Sequence, residues 1–192
     1  GKLYPMSIRL AIRSANSRDE ALSKDILEAM YPRFFSKEIA ASGQEFALEE
    51  YLLYALVRSE SLFEKDVVSF AGAIGLAQLM KPTAGDIARK LKIADYDLLD
   101  ASTNTRFGAF YLRELLGRLD DSVLLSLSSY NAGITRVRNW ARDNTLPPDL
   151  FLETLPFAET REYGKKILSA AAMYGYLYYG ATSHEIVAAI LH

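Results

Sequence analysis

Glu60 stands at the end of an apolar run, in LLYALVRSES at residues 52–61. Leu48, Leu52 and Leu56 lead to it at four-residue spacing, and Leu53 and Val57 lie seven and three residues before it. On a helix these positions share one face, so the chain puts an acid on the face it buries. Burial disfavours the carboxylate and lifts its pKa above the solvated value of about 4.3. The negative end of the predicted helix pushes the same way. A side chain so placed keeps its proton near neutral pH and can act as a general acid.

Three other stretches carry polar groups in unusual company. SFAGAIGLAQLMKPTA, residues 69–84, is too apolar for an ordinary exposed loop, and it holds a lone amide, Gln78. Gly72 and Gly75 permit turns that bring main-chain groups close to a ligand. The segment also reads as a tight buried connection in which backbone satisfies Gln78. In SSYNAGITRVRNW, residues 128–140, Tyr130 and Asn131 stand either at a site or at a plain helix end closed by Gly133. ETREY, residues 159–163, fits a charged first helical turn with its acid near the positive end.

Composition removes several chemistries. There is no cysteine, so disulfides, thiolate metal sites and a cysteine nucleophile are excluded. The only histidines are His184 and His192, which speaks against a histidine triad or a zinc cluster, and no metal or cofactor is implied. A net charge of −2 argues against a basic nucleic-acid binder. The longest uncharged run, residues 167–184, is broken by Ser169, Gly175, Gly180 and four tyrosines. It reads as a buried core helix and not as a membrane span, which needs about 20 mainly apolar residues.

The elements that must position these residues have helical spacing almost throughout. Helices are expected at 17–30 with Ser17 as cap, at 36–42 stopped by Gly43, and at 47–60. Further helices are expected at 83–93 after Pro82, at 102–119, at 123–133, at 134–143, at 159–179 and at 183–192. Pro147-Pro148 reads as a loop, and Tyr31-Pro32 as a break at a module boundary. Alternating strand patterns are nearly absent, so the fold class is all-α.

Taken in order, ALVRSESLF, GAIGLAQLMKPTA, NTRFGAFYLRELL, SYNAGITRVRNW and PFAETREYGKKI resemble the catalytic domain of the soluble lytic transglycosylases, goose-type lysozyme-like enzymes. The resemblance covers about residues 31–180, and it rests on five motifs in register. It implies a lysozyme-like helical domain with a cleft over residues 31–192. Residues 1–30 resemble the end of a preceding superhelical domain, and the chain reads as a piece of something longer.

The resemblance implies that Glu60 is the catalytic acid. It implies that Ser69, Gln78 and Met80 line the sugar cleft, that the Tyr130 hydroxyl points to the reacting centre beside Asn131, and that Glu159 and Tyr163 close the site. The implied substrate is the glycan strand of peptidoglycan, and the implied product carries a 1,6-anhydromuramyl end. A periplasmic or cell-envelope location would follow from that substrate. Neither nucleic acid nor a membrane span is implied, and protein partners are undefined. The family usually has methionine at Ala77 and proline at Lys81 and Ile134, departures that bear on substrate preference. A hydrolytic muramidase and a non-catalytic peptidoglycan-binding module are the alternatives.

Overall fold

The computed structural model describes residues 3–17 and 22–191. Eleven helices are assigned among them, with no strand beyond two isolated antiparallel bridges. The centre is a pair of helices, α4 (Glu50–Ser61) and α10 (Ala158–Tyr178), packed along each other. Leu52, Leu53, Leu56 and Val57 of α4 are buried in one core with Ile167, Ala170, Ala171 and Tyr174 of α10. The small side chains of Ala170 and Ala171 let the two backbones approach closely. The expected helix at 47–60 is therefore observed, and its apolar stripe faces the core.

Around this pair, α3 (Ser36–Phe46) packs on α6 (Ala101–Arg118), and α7 (Val123–Ala132) bridges α6 and α10. α8 (Ile134–Ala141) follows α7 across Gly133, whose φ of 87° turns the chain as expected. α5 (Lys81–Leu91) has a proline in its first turn, and α11 (Ser183–Leu191) packs on α10. His192 lies outside the described residues.

Three expectations differ. Gly43 does not stop α3; the helix runs on to Phe46 and ends at Ala47 in the left-handed region (φ 51°). Gly43 serves close packing instead, since a Cβ there would lie 2.9 Å from the Leu48 carbonyl. Pro147-Pro148 opens a helix, α9 (Pro148–Thr154), because proline is acceptable in a first turn, where its missing N–H costs nothing. Ser17 follows α1 (Leu3–Asn16), and the cap belongs to Ser23, whose hydroxyl accepts from the Ile26 N–H ahead of α2 (Lys24–Met30). The rest of the expectation for 17–30 falls on residues 18–21, outside the described set.

The break at Tyr31-Pro32 is bolted down. Arg58 of α4 donates to the Met30 carbonyl at 3.0 Å, Tyr178 to that of Tyr31 at 2.9 Å, and Tyr174 to that of Pro32 at 2.9 Å. The Arg58 and Arg33 guanidinium groups lie over the rings of Tyr31 and Tyr178. α1 reaches the same core, with Ile8 fully buried and Tyr4 stacked on Phe34 at 3.9 Å.

Candidate active site

Glu60 lies in the last turn of α4, which Leu62 and Phe63 end with two successive left-handed residues (φ 49° and 63°). Phe63 is buried, so the chain folds back at once and leaves Glu60 half-buried at the helix end. One group bonds to its carboxyl, the Tyr163 hydroxyl, which donates to Oε1 at 2.5 Å. Burial pushes the Glu60 pKa up to about 7, against the opposing effect of that hydrogen bond. No other carboxylate contributes to the shift. Burial, reinforced by the nearby charge of Glu60, also holds the Tyr163 and Tyr130 hydroxyls well above the usual tyrosine range. Both tyrosines therefore work as neutral hydrogen-bonding groups beside the acid.

The glycine-rich stretch forms a compact knot. Val68 bridges Ile74, and Ile74 bridges Leu79. The Gly75 N–H donates to the Val67 carbonyl at 2.9 Å, and Gln78 adopts a left-handed φ of 47°. Asn104 of α6, buried, fixes the knot: its Oδ1 accepts from the Ala77 N–H at 2.7 Å. Its Nδ2 donates to the carbonyls of Ile74 at 2.9 Å and Leu98 at 2.8 Å. Only glycine suits position 75, where a Cβ would come within 2.2 Å of the Asn104 amide nitrogen. From the other side, the Tyr130 hydroxyl donates to the Ala77 carbonyl at 2.9 Å. Ala77 itself is buried against Gly108, where a Cβ would lie 2.5 Å from that of Ala77. Its short side chain thus fills a packed seam and does not widen a cleft.

Each expected site residue has a definite place. The Gln78 amide nitrogen donates to the Gly75 carbonyl at 2.9 Å and is 3.4 Å from that of Val67, which leaves Oε1 as the open acceptor. The Ser69 hydroxyl oxygen accepts from the Ala73 N–H at 3.0 Å, within a turn that holds Phe70 fully in solvent. Met80 is 41% exposed at the start of α5, and Lys81 beside it is exposed. Asn131 Oδ1 accepts from the Thr160 hydroxyl at 2.8 Å, leaving its amide N–H groups as donors. Glu159 is exposed in the first turn of α10. Glu60, Tyr163 and Tyr130 come together, whereas no hydrogen bond joins Ser69, Met80 or Glu159 to Glu60 among the described residues. The Tyr130 hydroxyl, expected at the reacting centre, spends its proton on the Ala77 carbonyl.

Sequence reasoning missed Asn104, Gly108 and Thr160. Asn104 and Gly108 lie within the quoted stretch NTRFGAFYLRELL, where no local pattern sets them apart from the rest of an amphipathic helix. Thr160 lies inside ETREY, between the two residues that were named.

The Transglycosylase SLT domain family profile matches residues 37–148. The soluble lytic murein transglycosylase of Escherichia coli K12 is 34% identical over 160 residues, covering 79% of this chain and 24% of the relative. That of Salmonella typhimurium is 31% identical over 156 residues, covering 78% of this chain and 24% of the relative. The chain therefore spans about a quarter of the length of these curated relatives. A solved structure of an inactive glutamate-to-glutamine mutant of the lytic transglycosylase Slt from Pseudomonas aeruginosa superposes with a TM-score of 0.81 at 33% identity, covering 90% of this chain and 28% of that one. The 70 kDa soluble lytic transglycosylase of Escherichia coli gives 0.83 at 28% identity, covering 95% and 29%. With its knot, its acid and its tyrosines on this helical frame, the chain belongs to the SLT transglycosylase domain family.

Proposed function

We propose that the chain cleaves the β-1,4 bond between N-acetylmuramic acid and N-acetylglucosamine in peptidoglycan without using water. The observation that carries this reading is Glu60 itself, a lone half-buried acid held at a pKa of about 7 with a single tyrosine on it. A group poised there can give a proton and take one back in the same cycle. Glu60 protonates the glycosidic oxygen as the bond to C1 breaks. The sugar's own acetamido oxygen adds to C1, an intramolecular step favoured by high effective molarity. Glu60, now a carboxylate, accepts the proton of the C6 hydroxyl while that oxygen displaces the acetamido group. Acid and sugar return to balance, and the product carries a 1,6-anhydro ring. The inactive glutamate-to-glutamine mutant of the Pseudomonas relative supports an essential glutamate in this fold.

The open valences suit a sugar. Gln78 Oε1 accepts from an acetamido N–H or a hydroxyl, and the Asn131 amide donates. The Tyr130 oxygen, its proton committed to Ala77, accepts. Ser69 has its hydroxyl proton to give, and Met80 and Phe70 offer apolar faces to a ring. Tyr163 tunes the acid, and Glu159 stands at the exposed end of the same helix. We read residues 1–30 as the end of a preceding helical region, docked through Ile8 and Tyr4 on a catalytic unit formed by 31–192. Action on murein would place the chain in the periplasm or cell envelope.

Digestion of purified peptidoglycan tests the reading. Muropeptides lighter by one water than their hydrolysed counterparts are expected by mass spectrometry. Hydrated reducing ends throughout would make the chain a muramidase. Adsorption to sacculi without any release would make it a binding module.

A further inference from the structure

One wall beside the acid is zipped in three steps. Along α10, Tyr163, Thr160 and the helix-opening Phe157 recur every three residues toward the N-terminus. Facing them are Glu60 at 2.5 Å from the Tyr163 hydroxyl, Asn131 at 2.8 Å from that of Thr160, and Arg136 of α8, whose guanidinium carbon lies 5.5 Å from the Phe157 ring centroid. At 1.5 Å rise per residue, Phe157 is about 9 Å beyond Tyr163 along the helix axis. The wall therefore starts at the acid and ends at an arginine.

That end is built and left open. Phe157 is 47% exposed and is held edge-on against Trp140 at 5.1 Å. Arg136 is exposed, and its Nη1 donates to the Ala132 carbonyl at 3.1 Å. One bond and one aromatic face hold the guanidinium in this position, and its remaining N–H donors stay available. Among the described residues Arg136 has no ion pair. Two acids of the neighbouring elements, Glu153 and Glu162, are on Lys165 at 2.8 and 3.8 Å. Glu159, in the first turn of α10, makes no ion pair with Arg136 either. A pre-oriented guanidinium matches a carboxylate through two parallel hydrogen bonds.

We propose that Arg136, laid over Phe157, is a carboxylate subsite for the acidic substituent on the muramic acid of the substrate strand. The inference rests on the peptidoglycan reading above and extends it from the sugar to what the sugar carries. Two sources supply that carboxylate: the lactyl group of a peptide-free muramic acid, or the stem peptide when one is attached. In both cases Arg136 ranks strands by their substituents, while Glu60 performs the cleavage.

The test is a binding titration with Glu60→Gln and with Glu60→Gln/Arg136→Gln, by calorimetry at low and high salt. Three ligands are compared: peptide-bearing glycan fragments, the same fragments stripped by an amidase, and a chito-oligosaccharide with no carboxylate. Losing one charge-assisted pair should weaken the carboxylate-bearing ligands by about tenfold and leave the chito-oligosaccharide unchanged. High salt should narrow that gap. Weakening confined to peptide-bearing fragments assigns the stem carboxylate, weakening confined to the stripped fragments assigns the lactyl carboxylate, and weakening of both shows that either source reaches the arginine. Equal loss for all three ligands, or loss for none, overturns the proposal. Should Arg136→Gln not fold, Arg136→Lys takes its place. It keeps the charge without the fork, and a selective loss of about threefold is expected. No selective loss with Lys, or failure of both variants to fold, also overturns it. If the parent Glu60→Gln chain binds none of the three, the peptidoglycan reading falls first.

Discussion

Glu60 keeps its proton to about pH 7 because its carboxylate is poorly solvated, and that has a stability cost with a definite sign. In the unfolded chain the group ionises near 4.5. Between the two values the unfolded state sheds its proton and the folded state holds on, so folding stability falls as pH rises through that window and then levels off. Glu60→Gln removes the ionisation. Its melting temperature should match the wild type near pH 4 and exceed it at pH 8, by differential scanning calorimetry at both values. On the proposed mechanism its activity should drop by about 10²–10⁴-fold or more, since Glu60 would hold both proton-transfer roles. Tyr163→Phe makes a separate prediction. The tyrosine hydrogen bond favours the charged carboxylate, so its loss should carry the alkaline limb of kcat/KM above the wild-type position. A limb that stays put or moves down removes Tyr163 from the control of the acid. At this scale the sequence was readable for Glu60, because an acid in register with Leu48, Leu52 and Leu56 breaks a local pattern. Asn104 and Thr160 break none. Asn104 has one near partner, Leu98, but Ala77, Ile74 and the Thr160 partner Asn131 lie 27, 30 and 29 residues away, where no helical or strand period reaches.

The elements matter through how they grip one another. The glycine-rich knot buries Leu76, Ala77 and Leu79, and it is also held at Ala77 by α6 and α7 together, through Asn104 and Tyr130. Asn104→Ala would leave a buried N–H without its acceptor and two carbonyls without their donor. A loss of about 3 kcal/mol is expected in urea unfolding, together with a raised KM as Gln78 loses its placement. Tyr130→Phe frees only the carbonyl side. It should cost about tenfold in rate, with a larger share of hydrated ends among the products, read by mass spectrometry of the digest. An unchanged rate and product ratio would leave Tyr130 as packing. Helix existence was legible wherever an apolar stripe ran for three turns, as in α4, α6 and α10. Boundaries were less so. Gly43 and Pro148 look like breakers to a reader of local propensity. In the folded chain the glycine admits the Leu48 carbonyl, and the proline occupies a helix start where its missing donor goes unnoticed.

At the scale of the whole molecule, α1 shares the fate of the core. Ile8 is fully buried with the α4 and α10 residues, and Tyr4 lies on Phe34 and against Phe35. A chain begun at residue 31 should still fold, but it gives up the burial of one isoleucine at about 1.5–3 kcal/mol plus an aromatic stack. Its melt should come at least about 5 °C lower, and an unchanged melt would mean that α1 only rests on the surface. The fastening at residues 30–33 carries this further. Arg58, two residues before the acid, holds the Met30 carbonyl and covers Tyr31, while Tyr174 and Tyr178 of α10 hold the next two carbonyls. Among the described residues, the chain is thus fastened at Met30, Tyr31 and Pro32 directly to α4 and α10. A pull on that segment would therefore reach, through these three bonds, the same two helices that bring Glu60 and Tyr163 together.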